Sequence, residues 1–218
     1  MSKSCTRRVI AQTLLYFSAA VVTIKLANRA EAAAARDTAA ERFIQTKAQQ
    51  LIGVLADERL SIEGKARAFH LALDDLADVP RITNFVLGKY ARTITPDQKA
   101  RFSSAFRAYA EDVYRARLDD YQGETLKVTG SNVRKPGDVI VATQIGGGQI
   151  ERSIPVSWRV LGGGAAWKVV DVQFKGVWLA ITQQQDFVST IDNAGGDIDV
   201  LIDQLKRGGQ TSVRTRQS

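Results

Sequence analysis

Apolar residues in the first half of the chain recur every three or four positions, the spacing of one face of an α-helix. This pattern predicts helices over residues 37–56, 62–76, 82–88 and 96–121. The apolar positions behind the first three predictions are Phe43, Ile44, Leu51, Ile52 and Leu55, then Phe69, Leu73 and Leu76, then Ile82, Phe85 and Val86. Residues 37–121 are therefore predicted to be mainly helical.

Residues at the ends of these predicted helices match known capping preferences. In the segment Thr95–Gln98, a threonine, a proline and a glutamine are spaced as in a capping box. Asp37 is placed to cap the first helix, and Gly88 suits a helix C-terminus. Val79-Pro80 should interrupt the chain, because proline disfavours helical geometry in the residue before it.

The long helix predicted from Pro96 carries two apolar stripes, which lie about 100° apart on a helical wheel. One consists of Phe102, Phe106, Tyr109 and Val113, and the other of Ala110, Tyr114, Leu118 and Tyr121. So wide an apolar arc predicts burial on two sides, against helices on one side and a sheet or ligand on the other. An ordinary packed core explains the same pattern.

After Gly123 the spacing changes to the two-residue alternation of strands. Four strands are predicted at residues 124–130, 138–145, 150–161 and 166–175, with turns at 132–137, 146–148 and 162–164. Connections this short favour an antiparallel meander.

Alternation within the strands predicts which side chains share a face. Ile154, Val156, Trp158 and Val160 lie on one apolar face, and Val170, Val172 and Phe174 should lie opposite Trp167, Val169 and Asp171. Helices are predicted at 177–193 and 197–205, and they could cover one face of the sheet. We predict an α+β fold of N-terminal helices, a curved antiparallel sheet of about four strands and C-terminal helices, enclosing an apolar cavity.

The first 35 residues have the layout of a secretory signal peptide. Lys3, Arg7 and Arg8 precede an apolar run over residues 9–24, which is too short for a typical membrane span, and small residues follow at 30–35. An uncleaved anchor is the alternative, and the two adjacent arginines leave a twin-arginine export route open.

This layout divides the chain into a leader at residues 1–35, a single domain at 36–206 and a disordered basic tail at 207–218. Loss of the leader lowers the net charge from +7 to about +3 and removes Cys5, the only cysteine. The remaining basic residues are dispersed without aromatic clustering, which argues against a nucleic-acid partner.

The sequence offers few groups for catalysis or metal binding. His70 is the only histidine, which argues against a histidine-rich metal site and a catalytic triad. Asp74-Asp75 and Asp119-Asp120 are interpreted as solvated helix faces, and Asp197 as a helix cap. The glycine triplets precede strands, so they are interpreted as hairpins and not as phosphate loops. We predict no catalytic residue, no metal and no cofactor.

Asp171 is the one candidate for a general base, because burial beside an apolar pocket would raise the pKa of its carboxyl group. The competing interpretation is structural, with the carboxylate accepting hydrogen bonds from Trp167, Arg159 or a turn.

Several short motifs together resemble one protein family. They are Leu87-Gly88-x-Tyr90, Thr95-Pro96-x-Gln98, Phe102 with Ala105-Phe106, Tyr114, Trp167-x-Val169-x-Asp171-Val172, Gly176-Val177 and the helix from Gly196 to Leu205. In this order behind an export leader they resemble the MlaC or toluene-tolerance family of periplasmic lipid-binding proteins. The family's fold is similar to a curved sheet with a helical subdomain around a deep cavity for lipid tails.

The resemblance implies a monomeric, non-enzymatic periplasmic shuttle for phospholipid, or for a hopanoid or isoprenoid lipid as in the family's hopanoid-associated HpnM branch. It also implies two partners: the substrate-capturing component of an inner-membrane ABC transporter and an outer-membrane lipoprotein complex. The residues expected to line the cavity are Phe85, Phe102, Phe106, Tyr109, Val139, Val141, Val156, Trp158, Val170, Val172, Phe174 and Trp178.

Two positions depart from the family's pattern. Members often have an aromatic residue where this chain has Ala91 and a serine where it has Trp178. The larger indole is expected to narrow or reshape the cavity mouth. The alternative function is an enzyme of similar cone-shaped, NTF2-like fold, an isomerase or hydrolase acting on an apolar substrate.

Overall fold

A computed structural model describes residues 35–115, 122–164 and 166–208 of the chain. Several predictions fall outside these residues. They concern the leader as far as residue 34, the tail from residue 209, Asp119-Asp120, and the second apolar stripe at Leu118 and Tyr121. The described helices and strands belong to one compact unit that begins at Arg36.

The described elements follow the predicted order of helices, sheet and helices. The helices are α1 (Thr38–Ala56), α2 (Ile62–Leu76), α3 (Val79–Val86), α4 (Pro96–Arg115), α5 (Leu179–Asn193) and α6 (Ile198–Lys206), with a 3-10 helix at Gly88–Arg92. The strands are β1 (Glu124–Lys135), β2 (Asp138–Gly147), β3 (Ile150–Leu161), β4 (Lys168–Phe174) and β5 (Val177–Trp178). The predicted α+β fold is confirmed.

Helix caps account for most of these boundaries. Asp37 accepts hydrogen bonds from the backbone N–H groups of Ala39 and Ala40, at 3.0 and 2.9 Å. In the capping box, the amide of Gln98 donates to the Thr95 hydroxyl (3.2 Å), and the amide of Thr95 donates to the Gln98 side chain (3.0 Å). Both predicted helix starts are therefore confirmed, because these side chains satisfy amides that have no partner within the helix.

The predicted interruption near Val79-Pro80 lies two residues earlier than expected. Asp78 caps α3 by accepting from the amide of Arg81 at 3.0 Å, so Val79 and Pro80 form its first turn. Proline is tolerated there, since an N–H group in the first turn has no partner within the helix.

The sheet is an antiparallel meander in the order β1-β2-β3-β4-β5. Two of its differences from the prediction concern β1 and β5. Strand β1 continues to Lys135, so the turn after it is shorter than the predicted 132–137. Val177 and Trp178 form the short fifth strand where a helix start was expected, because they pair with the end of β4.

The predicted division of β4 into two faces is confirmed for Val172, Phe174 and Asp171 but was wrong for Val169. Val169 pairs with Val160 and Val172 pairs with Trp158, and a bulge shifts the register between these pairs. One extra residue in a strand reverses the alternation beyond it. Val169 and Val172 therefore lie on the same face, although the even spacing of the sequence separates them.

Helix α1 covers the outer edge of the sheet at β1. The side chain of Gln45 donates to the carbonyl of Leu126 and accepts from the amide of Val128, both at 3.3 Å. The hydroxyl of Ser131 accepts from the amide of Asp37 (2.8 Å) and donates to Glu41 (2.7 Å). These contacts satisfy backbone groups that an edge strand leaves unpaired, and they fix α1 against the sheet.

Buried apolar residues form two clusters. The sheet cluster joins α1 and α2 to the sheet, and its buried members are Ala40, Ile44, Leu76, Ala77, Val139, Val141, Val160, Trp167 and Val169. The helix cluster joins α3 to α6, and its buried members are Val86, Leu87, Phe102, Ala105, Ala180, Phe187, Ile191, Ile198, Leu201, Ile202 and Leu205. Ile82 on α3 packs against both clusters and so marks where they meet.

Asp74-Asp75 lies at the surface, as interpreted, with side chains 40% and 60% exposed, but both carboxylates have partners on other helices. Asp74 accepts two hydrogen bonds from Arg107 on α4, at 2.9 and 3.0 Å, and Asp75 forms an ion pair with Lys47 on α1. The hydrogen bonds from Arg107 lower the pKa of the Asp74 carboxyl group. Arg107 also contacts His70, which was expected beside Phe69 or in water. These polar side chains tie the helices together, and one-dimensional spacing does not reveal such partners.

Candidate functional site

One face of the sheet is apolar, and α1 and α2 pack against it. Strand register places Val139, Val141 and Thr143 of β2 opposite Val160, Trp158 and Val156 of β3. Val156 in turn pairs with Phe174 on β4, which is 38% exposed. We call this surface, with Val169 and Val172, the apolar face.

Thr143 is the one polar side chain of β2 on this face, and it is buried at 2% exposure. Its hydroxyl donates to the carbonyl of Val156 at 3.0 Å and accepts from the indole N–H of Trp158 at 2.9 Å. A buried polar group with both partners stabilises the fold. The alternation of β2 was sufficient to place Thr143 on this face, but sequence reasoning did not single it out.

Three phenylalanine rings form the centre of the helix cluster. The rings of Phe102 and Phe106 are stacked with centroids 5.8 Å apart, and Phe187 meets both edge-on at 5.7 and 5.6 Å. The first two lie one turn apart on α4, as predicted. Phe187 on α5 was not predicted as their partner, because the sequence shows that α5 is apolar but not which helix it contacts.

The twelve residues predicted to line a cavity are divided among several places. Phe102, Phe106 and Tyr109 lie in the helix cluster, and Val139, Val141, Trp158 and Val172 lie in the sheet cluster. Val156 and Val170 are buried outside both clusters, whereas Phe85 and Phe174 are exposed. The structure therefore brings together seven of the residues in two separate groups.

Trp178 lies apart from these groups. Trp178 pairs with Gln173 of β4, and Gln173 pairs with Ser157 of β3. On the apolar face, the neighbouring pair is Phe174 with Val156. Because neighbouring residues of a strand point to opposite sides, the register places Trp178 on the side of the sheet opposite Phe174.

Burial separates the predicted lining residues further. Phe102 and Val141 have no exposed surface, whereas Phe106 and Tyr109 on α4 and Trp158 and Val172 on the sheet are only partly buried. Partly buried apolar side chains retain surface that a ligand can cover. These four, and Ile82 where the clusters meet, therefore keep accessible apolar surface.

The opposite face of the sheet carries the charged residues Asp138, Arg159 and Asp171. Asp138, 2% exposed, accepts two hydrogen bonds from Arg159, both at 3.0 Å, and lies 3.4 Å from the guanidinium of Arg134. The hydrogen bonds from Arg159 hold the pKa of this carboxyl group below its usual value, against the opposing effect of burial. The sheet thus separates an apolar side from a side with buried ion pairs.

Asp171, the candidate general base, lies on this charged side opposite Arg159. Its Oδ1 accepts from the amide of Val172 at 2.8 Å and from the amide of Ala180, in the first turn of α5, at 2.9 Å. Burial raises the pKa of the carboxyl group, and the two hydrogen bonds oppose that shift. Helix α5 has no cap from its own preceding side chain, so a strand residue supplies one. This geometry is that of a structural acceptor and not of a base facing the apolar side.

Within residues 35–115, 122–164 and 166–208, no group of three or more metal-binding side chains is suitably arranged. Within the same ranges, no helix combines the length and hydropathy of a membrane span.

The family profile described as MlaC protein matches residues 45–207, about three quarters of the chain. The chain belongs to the MlaC family. The predicted resemblance is therefore confirmed at the level of the family.

A curated relative and a solved structure are similar to this MlaC-family chain. The toluene tolerance protein Ttg2D of Pseudomonas putida is 24% identical over 165 residues, which are 73% of this chain and 76% of the relative. A phospholipid-binding protein of Ralstonia solanacearum, solved in complex with a phospholipid, has a TM-score of 0.69 at 19% identity. The match covers 77% of this chain and 94% of the other, and it shows that the two share a fold.

The family motif Leu87-Gly88-x-Tyr90 has a structural role in this chain. Gly88 adopts a φ of +54°, and a Cβ atom there would lie 2.8 Å from Val188 on α5, so this position requires glycine on both counts. Tyr90 donates its hydroxyl to Asp192 at the end of α5. Both residues therefore attach the segment after α3 to α5, which positions the helix cluster.

Proposed function

We propose that the protein is a periplasmic lipid carrier that holds the hydrocarbon part of its cargo between the apolar face and α4, without a catalytic step. Support comes from membership of the MlaC family and from a fold shared with a protein solved with a bound phospholipid. The observation that carries the proposal is the position of Ile82, where two apolar clusters meet between partly buried side chains.

Hydrophobic burial supplies the affinity in this proposal. Each methylene transferred from water to an apolar site contributes about 0.8 kcal/mol without needing a polar partner. A ligand entering beside Ile82 would contact Phe106 and Tyr109 on one side and Trp158 and Val172 on the other. These contacts cover surface that is already partly exposed, so the buried centres of both clusters can stay intact.

The cargo we propose is a phospholipid or a hopanoid or isoprenoid lipid. The partners we propose are the substrate-capturing component of an inner-membrane ABC transporter and an outer-membrane lipoprotein complex. Transfer requires that each partner change the affinity of the carrier for its lipid. A partner that binds the loaded and the empty carrier with equal affinity cannot shift the equilibrium between them.

Native mass spectrometry with lipid extraction tests the proposal. The purified protein is expected to carry lipid, or to take it up from vesicles. A mass equal to that of the bare chain, with no uptake from vesicles of either lipid class, would contradict it.

A pair of matched variants tests the position of the cargo. Ile82→Phe adds bulk where the two clusters meet, whereas Ile94→Phe adds the same bulk to a residue that packs against the helix cluster alone. We expect the first to lower lipid uptake about tenfold and the second to leave it within about twofold, since occupied volume excludes ligand only where the ligand lies. Equal uptake by both variants would place the cargo elsewhere.

A further inference from the structure

The β4–β5 hairpin presents a group of exposed apolar side chains around one lysine. Phe174, Val177 and Leu179 are 38%, 49% and 50% exposed, and Lys175 occupies the turn between the first two. We call these four residues the hairpin patch. Isolated exposed apolar residues are common on proteins, whereas these three lie within six positions of the chain, and strand pairing places Phe174 beside Val177.

Lys175 adopts an unfavourable backbone conformation for its type. Its φ of +48° is the only positive value recorded for a non-glycine residue in the described part of the chain, and Gly176 follows at +84°. Two successive positive φ angles are typical of the tight hairpin turn that prefers Asn-Gly or Gly-Gly. A lysine there costs stability, and its ammonium lies 5.5 Å from the centroid of the Phe174 ring, an exposed and therefore weak contact.

The chemistry of the hairpin patch fits a bilayer surface. Apolar side chains beside a flexible cation are the combination by which interfacial segments enter the acyl boundary while keeping the charge among head groups. An anionic membrane also complements the lysine, and the contribution decays within a Debye length of the surface. Pairing of Phe174 with Val156 places the patch where the apolar face reaches its end.

We propose that the hairpin patch docks the protein on anionic lipid bilayers, with Val177 and Leu179 entering the interface and Lys175 contacting lipid phosphates. This proposal rests on the proposed function, because docking at this place brings the end of the apolar face to the membrane from which lipid is taken or to which it is delivered.

Co-sedimentation with vesicles tests the proposal, using the protein as it is purified from the cells that produce it. Vesicles of phosphatidylcholine are compared with vesicles containing phosphatidylglycerol, and stronger binding to the anionic vesicles is expected. Lys175→Gly removes the charge and suits the positive φ, so binding to anionic vesicles should fall about fivefold while the melting temperature does not fall. Leu179→Ser should lower binding to both kinds of vesicle about fivefold, through lost apolar burial.

Two exposed residues on α2 provide matched controls. Ile62 and Leu71 are 52% and 71% exposed and lie outside the patch, so their replacement by serine should leave vesicle binding unchanged. Equal losses in the α2 and hairpin variants would overturn the proposal. So would a change of oligomeric state in Leu179→Ser without vesicles, because the patch would then be an interface between copies.

Lipid content of the same samples distinguishes this proposal from the proposed function. Lys175→Gly protein loaded with lipid in detergent is expected to retain it while binding vesicles weakly. Vesicle binding by a protein that holds no lipid in any preparation would contradict the carrier proposal, whereas lipid-loaded protein that ignores vesicles would contradict the docking proposal alone.

Discussion

The indole N–H of Trp158 donates to the hydroxyl of Thr143 across two strands of the apolar face, at 2.9 Å. The same hydroxyl donates to the carbonyl of Val156, so one buried oxygen fixes both a large aromatic ring and the backbone beside it. Because the ring belongs to the surface that we propose for lipid, this hydrogen bond sets the shape of that surface.

Thr143→Val is expected to lower the free energy of unfolding by about 1–3 kcal/mol, because it leaves a partly buried indole donor without its acceptor. Thr129→Val is the matched control, since the Thr129 hydroxyl donates to the carbonyl of Ala142 at an exposed position. That change should cost less than about 0.5 kcal/mol. Urea unfolding of both variants measures the difference, and equal stabilities would show that the buried hydrogen bond contributes nothing particular.

Replacements of Asp171 test its role as the cap of α5. Asp171→Ala removes the acceptor for the Ala180 amide and should cost about 1–2 kcal/mol of stability. Asp171→Asn keeps an acceptor oxygen and removes the buried charge. Since burial raises the pKa of this carboxyl group, ionisation costs stability, and the asparagine variant should be at least as stable as the parent at pH 7.

The pH dependence of that difference has a definite sign. The folded pKa of Asp171 exceeds the unfolded one, so its contribution is full below the unfolded value of about 4 and is lost as pH rises through the folded value. In thermal unfolding between pH 3 and pH 8, the melting temperature of the asparagine variant should rise relative to that of the parent as pH rises. An asparagine variant as unstable as the alanine variant at pH 7 would contradict this account.

The contribution of Asp138 to stability should depend on pH in the opposite direction. Hydrogen bonds from Arg159 lower its folded pKa, so the carboxylate stabilises the protein above about pH 4 and the contribution is lost as pH falls through the folded value. Asp138→Asn should therefore cost about 1–3 kcal/mol at pH 7 and progressively less below pH 4. Asp186→Asn on the exposed surface of α5 is the control, and melting temperatures that shift in parallel for both variants at every pH would refute the assignment.

Trp158 and Trp178 were both predicted to contact lipid, but the strand register places them on opposite sides of the sheet. We expect Trp158→Ser to lower phospholipid uptake from vesicles about tenfold. Trp178→Ser restores the residue that the family often has, and we expect it to change uptake less than about twofold. A larger effect at Trp178 would mean that its indole does reach the cargo, as the sequence suggested.

Local signals in the sequence were sufficient for most of the fold. The capping box at Thr95 and the cap at Asp37 satisfy backbone groups within a few residues, so these hydrogen bonds can be predicted from residue spacing alone. The alternation of β3 likewise identified the face that carries Trp158, because no bulge interrupts β3 between Val156 and Trp158.

Features that depend on distant partners could not be predicted in the same way. The bulge between β3 and β4 moves Val169 and Val172 onto one face, and the cap of α5 comes from Asp171 across a hairpin. Phe187 meets Phe102 only because two helices far apart in sequence pack together. The lining residues were chosen by residue type and stay a prediction, whereas their division into two clusters depends on tertiary packing.

Photo-crosslinking with a phospholipid that carries a reactive group on its acyl chain tests the central claim most directly. After uptake and illumination, peptide mass spectrometry should find the label on the segments that contain Phe106 and Tyr109 and on those that contain Trp158 and Val172. Label confined to the charged side of the sheet, around Asp138 and Arg159, or spread evenly over the exposed surface, would contradict the placement of lipid between the apolar face and α4.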